Sequence, residues 1–508
     1  MIPSPTTDAG TFARSRLRNP AVIPLLLLGL WALLYLPHLR ISPGWYGDET
    51  LTHSCSLALA NGHPFHYALW NTFWHPHYPY QPGYSLINGL FAKAAGGDII
   101  GSRFFNALLA LATALSIAQL GKRCLGKLPA FFAAVMFLCY AQSVIHFRMS
   151  YAHNAVGFGV VLMTLFLLRV PYWRNDLLAG LGLGIAAGAH PLFGYAAIAA
   201  LLVRIRHPKS WFFLFAPAAL VVGVTMLLIY LRFGHWLIED IVHLKNAFVS
   251  RGESDGSGWQ SVLNFWNFAL QDWFHAGAFL GLLLCLRRKI FPIAVVGLLV
   301  AIFLVRNRQN LIVFYYQAVI VLPTLALGWG GFVYCVREFV DKQSAPWLRV
   351  LVLAFWIFPL ASLAQMVPAA LMGTLTPRNA YWVTQSTQEV EEAAAWVNAH
   401  TTPTDSVGGN ANIAWLLHAR TVPYLQMITW YGLTTQGYDN GNKRERFRYD
   451  ASLEAAKFAI VGDIDQRWTI GEPNVGKLFD KMSEQNWPVV WRGENYLILA
   501  NPRYHKEN

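Results

Sequence analysis

The stretch "AVIPLLLLGLWALLYLPHLRISPGWYGDET", residues 21–50, decides the class of this chain. Ala21 to Leu36 is an almost unbroken apolar run, Arg14, Arg16 and Arg18 precede it, and the adjacent carboxylates Asp48 and Glu49 follow shortly after. A basic segment leading into an apolar run fits either a signal peptide or a first membrane span. A small-residue cleavage site should lie close to the run, and Ala58-Leu59-Ala60 is too far beyond it. The run therefore reads as a retained span, which leaves two carboxylates at the point where its helix exits the lipid.

The whole chain agrees with a membrane reading. Of 508 residues, 55% are apolar and 13% charged, and mean hydropathy is +0.36, too oily for a single soluble core. Hydropathy maxima over 20–38, 99–120, 128–146, 155–169, 176–190, 193–203, 211–231, 273–286, 290–305, 311–334 and 349–372 give about eleven spans. Basic residues gather in alternate loops: Arg14 to Arg18, Lys122/Arg123/Lys127, Arg169/Arg174, Arg204/Arg206/Lys209, Arg287/Arg288/Lys289 and Arg337/Lys342/Arg349. The net charge of +12 is thus a topology signal rather than a nucleic-acid patch. With an odd number of spans and the N-terminus inside, the "WYGDET" loop and the C-terminal region both fall outside. Five scattered cysteines form no CxxC pair, so they read as packing residues.

These patterns predict an α-helical polytopic transmembrane domain over 1–375, with long outer loops at 39–98 and 232–272. After about 375 charge rises and the pattern alternates. "STQEVEEAAAWVNAH" (386–400) predicts an amphipathic helix, and "KFAIVGD" and "PVVWRGENYLILA" predict a strand and a hairpin. Residues 376–508 therefore read as an extracytoplasmic α/β domain. Gly180, Gly184 and Gly188 repeat at the small-xxx-small spacing of close helix packing.

An acidic pair in a loop is ordinarily just solvated. Asp48 and Glu49, however, sit at a span end in a loop otherwise poor in charge, and a carboxylate at the edge of low dielectric has the raised pKa of a base toward a hydroxyl. A phosphate leaving group would need opposite charge, for which the outer face offers Lys93, Arg103, Arg148, Arg306 and Arg308; an Arg fork matches two phosphate oxygens. Arg103 and Arg148 lie nearest the apolar runs. The aromatic stretch between supplies His75, His77, Tyr78 and Tyr80 for substrate contact. His75 and His77 flank a proline rather than standing at helical i, i+4 spacing, so no cofactor is expected and a divalent metal is a minor alternative. Neither a P-loop nor a supported G-x-S-x-G occurs.

From Gly47-Asp48-Glu49 through "QPGYSLINGLFAKAAGGDIIGSRFFNALLALATAL" (81–115) to the following short basic loop, the chain resembles the GT-C membrane glycosyltransferases. Within these it is most similar to the group of protein O-mannosyltransferases, the lipid A aminoarabinose transferase and the rhizobial galacturonosyltransferases. The resemblance covers about residues 20–210. It implies that Asp48 is the acceptor-activating base, that Glu49 helps to orient the acceptor or the base, and that the donor is a polyprenyl-phosphate sugar transferred with inversion. It also implies that Arg103 and Arg148 hold the donor phosphate, joined by His190, where some relatives have Lys. Where many relatives carry an Asp in the second outer loop, this chain reads "FRMSYAHNAVGF" (147–158) and offers His153 and Asn154.

The expected activity is glycosyl transfer to a glycolipid, polysaccharide or protein hydroxyl, on the outer face of a bacterial cytoplasmic membrane and amid membrane lipid. The alternative is a transporter or flippase of a lipid-linked glycan. That would favour paired intramembrane charges and inverted hydropathy repeats, and neither stands out.

Overall fold

The computed structural model describes residues 21–63, 82–234, 238, 242, 258–286, 288–305, 315–342, 348–376, 384–409, 411–433, 444–463, 465–466 and 473–504. Helix α1 (Val22–Tyr35) leads through an irregular segment to strand β1 (Trp45–Tyr46) and helix α2 (Gly47–Ala60), which carries Asp48 and Glu49 in its first turn. Then come α3 (Pro82–Ala94), α4 (Ile99–Gly121), α5 (Lys127–Cys139), α6 (Ala141–Phe147), α7 (Ala152–Leu167), α8 (Trp173–Ala187), α9 (Phe193–Val203) and α10 (Pro208–Phe233). The second half of the helical region runs α11 (Gly258–Ala269), α12 (Trp273–Cys285), α13 (Phe291–Val305), α14 (Tyr315–Ala318), α15 (Leu322–Asp341), α16 (Leu348–Ala354) and α17 (Ile357–Met372).

Among the described residues, three helical stretches are long and apolar enough to cross a membrane: Ile99–Gly121, Pro208–Leu228 and Val352–Met372. Two bent pairs raise the number to five: Lys127–Cys139 with Ala141–Phe147, at 62°, and Trp259–Ala269 with Trp273–Cys285, at 109°. The span expected at 128–146 is thus a broken helix. Other hydropathy maxima fall on apolar helices of ten to seventeen residues, including Val22–Tyr35 and Ala152–Leu167. The expected figure of about eleven thus counts apolar maxima, not long straight helices.

The glycine stripe of α8 packs as its spacing suggests. A Cβ on Gly180 would stand 2.6 Å from the Leu214 carbonyl oxygen of α10, and one on Gly188 would stand 3.2 Å from Val221. The start of α3 seats on the end of the same helix: the Tyr84 N–H donates to the Gly188 carbonyl at 3.0 Å, and a Cβ on Gly83 would meet that oxygen at 2.8 Å. The Pro-Gly-Tyr sequence therefore places α3 where only a residue without a side chain fits.

Beyond α17, β2 (Thr384–Gln385) leads into α18 (Thr387–His400), β3 (Ser406–Gly409), α19 (Ala411–Ala414), β4 (Arg420–Pro423), α20 (Tyr424–Trp430), β5 (Ala456–Gly462), α21 (Pro473–Glu484), β6 (Val489–Arg492) and β7 (Tyr496–Ala500). The sheet order is β4-β3-β5-β7-β6; β3 is parallel to β4 and β5, while β7 is antiparallel to β5 and β6. The helix, strand and hairpin read from the sequence at 386–400, 456–462 and 489–500 all form. Alternation along β5 divides its side chains: Phe458 and Ile460 pack with Val390 and Val397 of α18, whereas Ala459 and Val461 pack with Tyr424 of α20 and Leu478 of α21. Trp45 belongs to the first of these clusters, so this core reaches back to the strand just before Asp48.

Candidate active site

Helix α2 starts at Gly47 because Tyr46 is extended (φ −116°, ψ 141°) and the Thr50 and Thr52 hydroxyls donate to the Gly47 and Asp48 carbonyl oxygens at 2.9 and 2.7 Å. Two successive carboxylates on one helical turn point in different directions, and their surroundings differ accordingly.

Glu49 is fully buried. It receives a two-pronged grip from Arg103, whose Nε and Nη2 donate to its Oε1 and Oε2 at 2.8 and 2.7 Å, and the Ser150 N–H donates to Oε1 at 2.9 Å. Asp48 is exposed to solvent, yet enough protein surrounds it that burial raises its carboxyl above the ordinary 3.8, with a hydrogen bond from Tyr46 acting in the opposite direction. The acidic pair thus divides into a buried, tightly gripped Glu49 and an exposed Asp48.

The arginines assigned to the donor phosphate are placed otherwise. Arg103 is fully buried, and besides Glu49 its Nη1 donates to the Leu39, Arg40 and Pro43 carbonyls at 3.0, 3.2 and 2.8 Å and its Nη2 to Gly44 at 3.3 Å. Arg148, equally buried, donates to Ser42 at 3.0 Å, to Leu34 at 2.8 Å and to Pro37. Both guanidinium groups are spent on the carbonyls of residues 34–44, which have no helical partners of their own. In this structure they fasten the segment leading to Asp48. Lys93 also moves out of the site: its Nζ donates to the Ala60 carbonyl at the far end of α2, about 18 Å from Asp48 along the axis at 1.5 Å per residue.

Asn154 is likewise structural. Its amide donates to Asn106 Oδ1 at 2.8 Å and to the His146 and Met149 carbonyls at 3.0 Å, bracing the turn between α6 and α7. Asn106 donates in turn to the Tyr84 hydroxyl at 2.8 Å, and Asn88 Nδ2 lies within 3.2 Å of the Ser56, Ser102 and Ser150 hydroxyls. His53 closes this network, with Nδ1 2.8 Å from Ser102 Oγ and Nε2 3.1 Å from the Gly97 carbonyl. Burial lowers its pKa to about 4, so it is a neutral hydrogen-bonding ring. The network ties α2, α3, α4 and the start of α7 to one another beside Asp48. Its signal in the sequence was Ser102, Arg103 and Asn106 inside an apolar run, polar groups that a span buries only with partners.

His153, in the first turn of α7, and His190, in the connection between α8 and α9, do meet, with ring centroids 4.4 Å apart. Aromatic contacts lead from them toward the strand before Asp48: by ring centroids His153 lies 6.3 Å from Tyr151, Tyr151 lies 5.9 Å from Tyr46, and His146 stands 6.5 Å from Tyr151. Tyr46, Tyr151 and His146 were missed from the sequence, where nothing separates them from other aromatics. His75, His77, Tyr78, Tyr80, Arg306 and Arg308 lie outside the described residues.

No protein-family model and no curated protein matches the sequence. Solved structures do match. ArnT from Cupriavidus metallidurans bound to undecaprenyl phosphate superposes with a TM-score of 0.64 at 13% identity, over 95% of this chain and 97% of its own. The oligosaccharyltransferase of Archaeoglobus fulgidus, tethered to an acceptor peptide, superposes with a TM-score of 0.55 at 9% identity, over 95% of this chain and 74% of that one. At such identity the likeness speaks for the fold, and it extends well past residue 210, where the sequence resemblance ends. This chain is therefore a polytopic membrane protein with the GT-C fold, its helical region followed by a small α/β unit.

Proposed function

We propose that this protein is an inverting glycosyltransferase that moves a sugar from a polyprenyl-phosphate donor to a hydroxyl of an envelope glycolipid, polysaccharide or protein, at the outer face of a bacterial cytoplasmic membrane. The observation that carries the reading is the contrast at the head of α2: a solvent-reachable Asp48 with a raised pKa beside a Glu49 immobilised by Arg103. A rigid neighbour and a fixed backbone hold a base in one place, as general-base catalysis needs. In the reaction, Asp48 takes the acceptor hydroxyl proton as that oxygen bonds to the anomeric carbon. The bond from that carbon to the phosphate oxygen breaks, and the lipid phosphate leaves as an anion. ArnT, which shares the fold, has been seen with undecaprenyl phosphate, in keeping with this donor class. With Arg103 and Arg148 engaged elsewhere, the His153–His190 pair is the candidate for the donor phosphate, since a neutral imidazole N–H can donate to a phosphate oxygen.

The test is mass spectrometry of envelope glycans from a deletion strain complemented with the wild-type chain or with Asp48→Asn. The wild-type chain restores a sugar that the deletion strain lacks. The variant, at equal abundance in the membrane, does not. Full restoration by Asp48→Asn would overturn the assignment of the base and favour a transport function.

A further inference from the structure

The α/β unit touches the helix that carries the base at several points. Strand β1, the two residues before α2, pairs antiparallel with β2 of the C-terminal unit, Trp45 opposite Gln385 and Tyr46 opposite Thr384. Arg40 ion-pairs with Asp98, the N-cap of α4, at 2.8 Å and with Glu391 of α18. The Trp415 indole stands with its ring centroid 5.2 Å from Trp45 and 5.1 Å from His53, edge-on to both. Its own position is fixed by Nε1, which donates to the Asn412 carbonyl at 3.0 Å. Further along α2, Leu51 and Cys55 pack into the cluster around Tyr424 and Met427.

Asp48 therefore lies between two residues, Trp45 and His53, that one side chain from the other end of the chain holds together. On the membrane side Arg103 and Ser150 grip Glu49; on the outer side the only ring bridging the strand before Asp48 and the helix after it, among the described residues, is Trp415. A helix held from one side can rock about its anchor; one held from both cannot. Angular error at a catalytic base is costly, and a shift on the order of 1 Å can lower the rate about 100-fold.

We propose that the C-terminal α/β unit is a working part of the active site, in which Trp415 is a positioning residue that sets the orientation of Asp48 through Trp45 and His53. The inference rests on Asp48 being the base. It makes the unit a requirement for turnover itself, beyond any part in choosing the acceptor.

The experiment uses the full chain in lipid nanodiscs and compares Trp415→Ala, Trp415→Leu and Trp415→Phe with Trp396→Ala. Trp396 stacks on His400 and packs on Phe458 inside the α/β unit, so it controls for general loss of stability there. Three quantities are read: transfer of the sugar identified by the glycan comparison, affinity for undecaprenyl phosphate alone, and hydrogen exchange over residues 44–56. Trp415→Ala and Trp415→Leu are expected to lower kcat about 10- to 100-fold, to leave undecaprenyl phosphate affinity within about threefold, and to raise exchange at the head of α2. Trp415→Phe, which keeps a ring edge for both neighbours, should retain most of the rate. Trp415→Leu carries the comparison alone if the alanine variant fails to insert. Wild-type kcat in Trp415→Leu, or an equal loss in Trp396→Ala at matched unfolding temperature, overturns the proposal. Asp48→Asn in the same assay separates the two readings: if it remains active, the base assignment has failed; if it is inactive while Trp415→Leu is fully active, only the positioning role has.

Discussion

Replacing Arg103 by Met tests whether this arginine clasps the protein or a phosphate. In the structure its guanidinium serves six acceptors: both oxygens of Glu49 and the carbonyls of Leu39, Arg40, Pro43 and Gly44. Methionine fills similar space but donates to none. Glu49 then keeps the hydrogen bond from the Ser150 N–H at 2.9 Å and stands as a buried charge without its guanidinium partner. Breaking a buried pair from one side costs about 3–5 kcal/mol, and each stranded carbonyl adds to that unless the segment moves to find water. For a chain of this length each kcal/mol shifts unfolding by on the order of 1–2 °C, so Arg103→Met should unfold about 5 °C or more below wild type. Adding Glu49→Met removes the stranded charge and should recover part of the loss, a positive coupling visible in a double-mutant cycle. The assay is tryptophan-fluorescence unfolding in nanodiscs, paired with binding of undecaprenyl phosphate. An Arg103→Met variant that unfolds like wild type but binds undecaprenyl phosphate more weakly would refute the clasp and restore the phosphate ligand.

Three further outcomes follow from the geometry. Transfer should fall as pH drops through the pKa of Asp48, and since burial raises that pKa while Tyr46 lowers it, Tyr46→Phe should move the acid limb of the pH–rate profile to higher pH; an unmoved limb would separate Tyr46 from the base. In the α/β unit, burial pushes Glu454 up, but hydrogen bonds from Lys481 and Tyr431 prevail and bring it from 4.5 to about 2. Because that folded pKa is depressed, its stabilisation is complete above pH 4.5 and is lost as pH falls toward 2, so Glu454→Gln should flatten acid unfolding in that window. Gly83→Ala forces a Cβ to within 2.8 Å of the Gly188 carbonyl oxygen and should destabilise by about 1–3 kcal/mol, read as a lower unfolding temperature; an unchanged value would mean that α3 can slide on α8.

Much of this molecule was legible in the chain by itself. Apolar runs and alternating basic loops identify a membrane protein because lipid admits few other solutions, and period-2 alternation at 456–462 and 489–500 identifies strands because one-sided burial imposes that period. The motif at 47–49 was legible too, since a carboxylate pair beside lipid calls for a reason. The resemblance already set Asp48 apart from Glu49, but the residues by themselves do not say which carboxylate is exposed. Asp48 and Glu49 are adjacent and chemically alike; only the arrival of Arg103 from α4 and Ser150 from the turn before α7 buries one and leaves the other open. The same holds for the cations. Arg103 and Arg148 read as phosphate ligands because a side chain's charge is legible locally, whereas the backbone carbonyls that they contact belong to residues 34–44, far away in sequence. And no local pattern links Trp415 to Trp45 and His53 on either side of Asp48: strand β2 returns, more than three hundred residues later, to pair with Trp45 and Tyr46 just before α2.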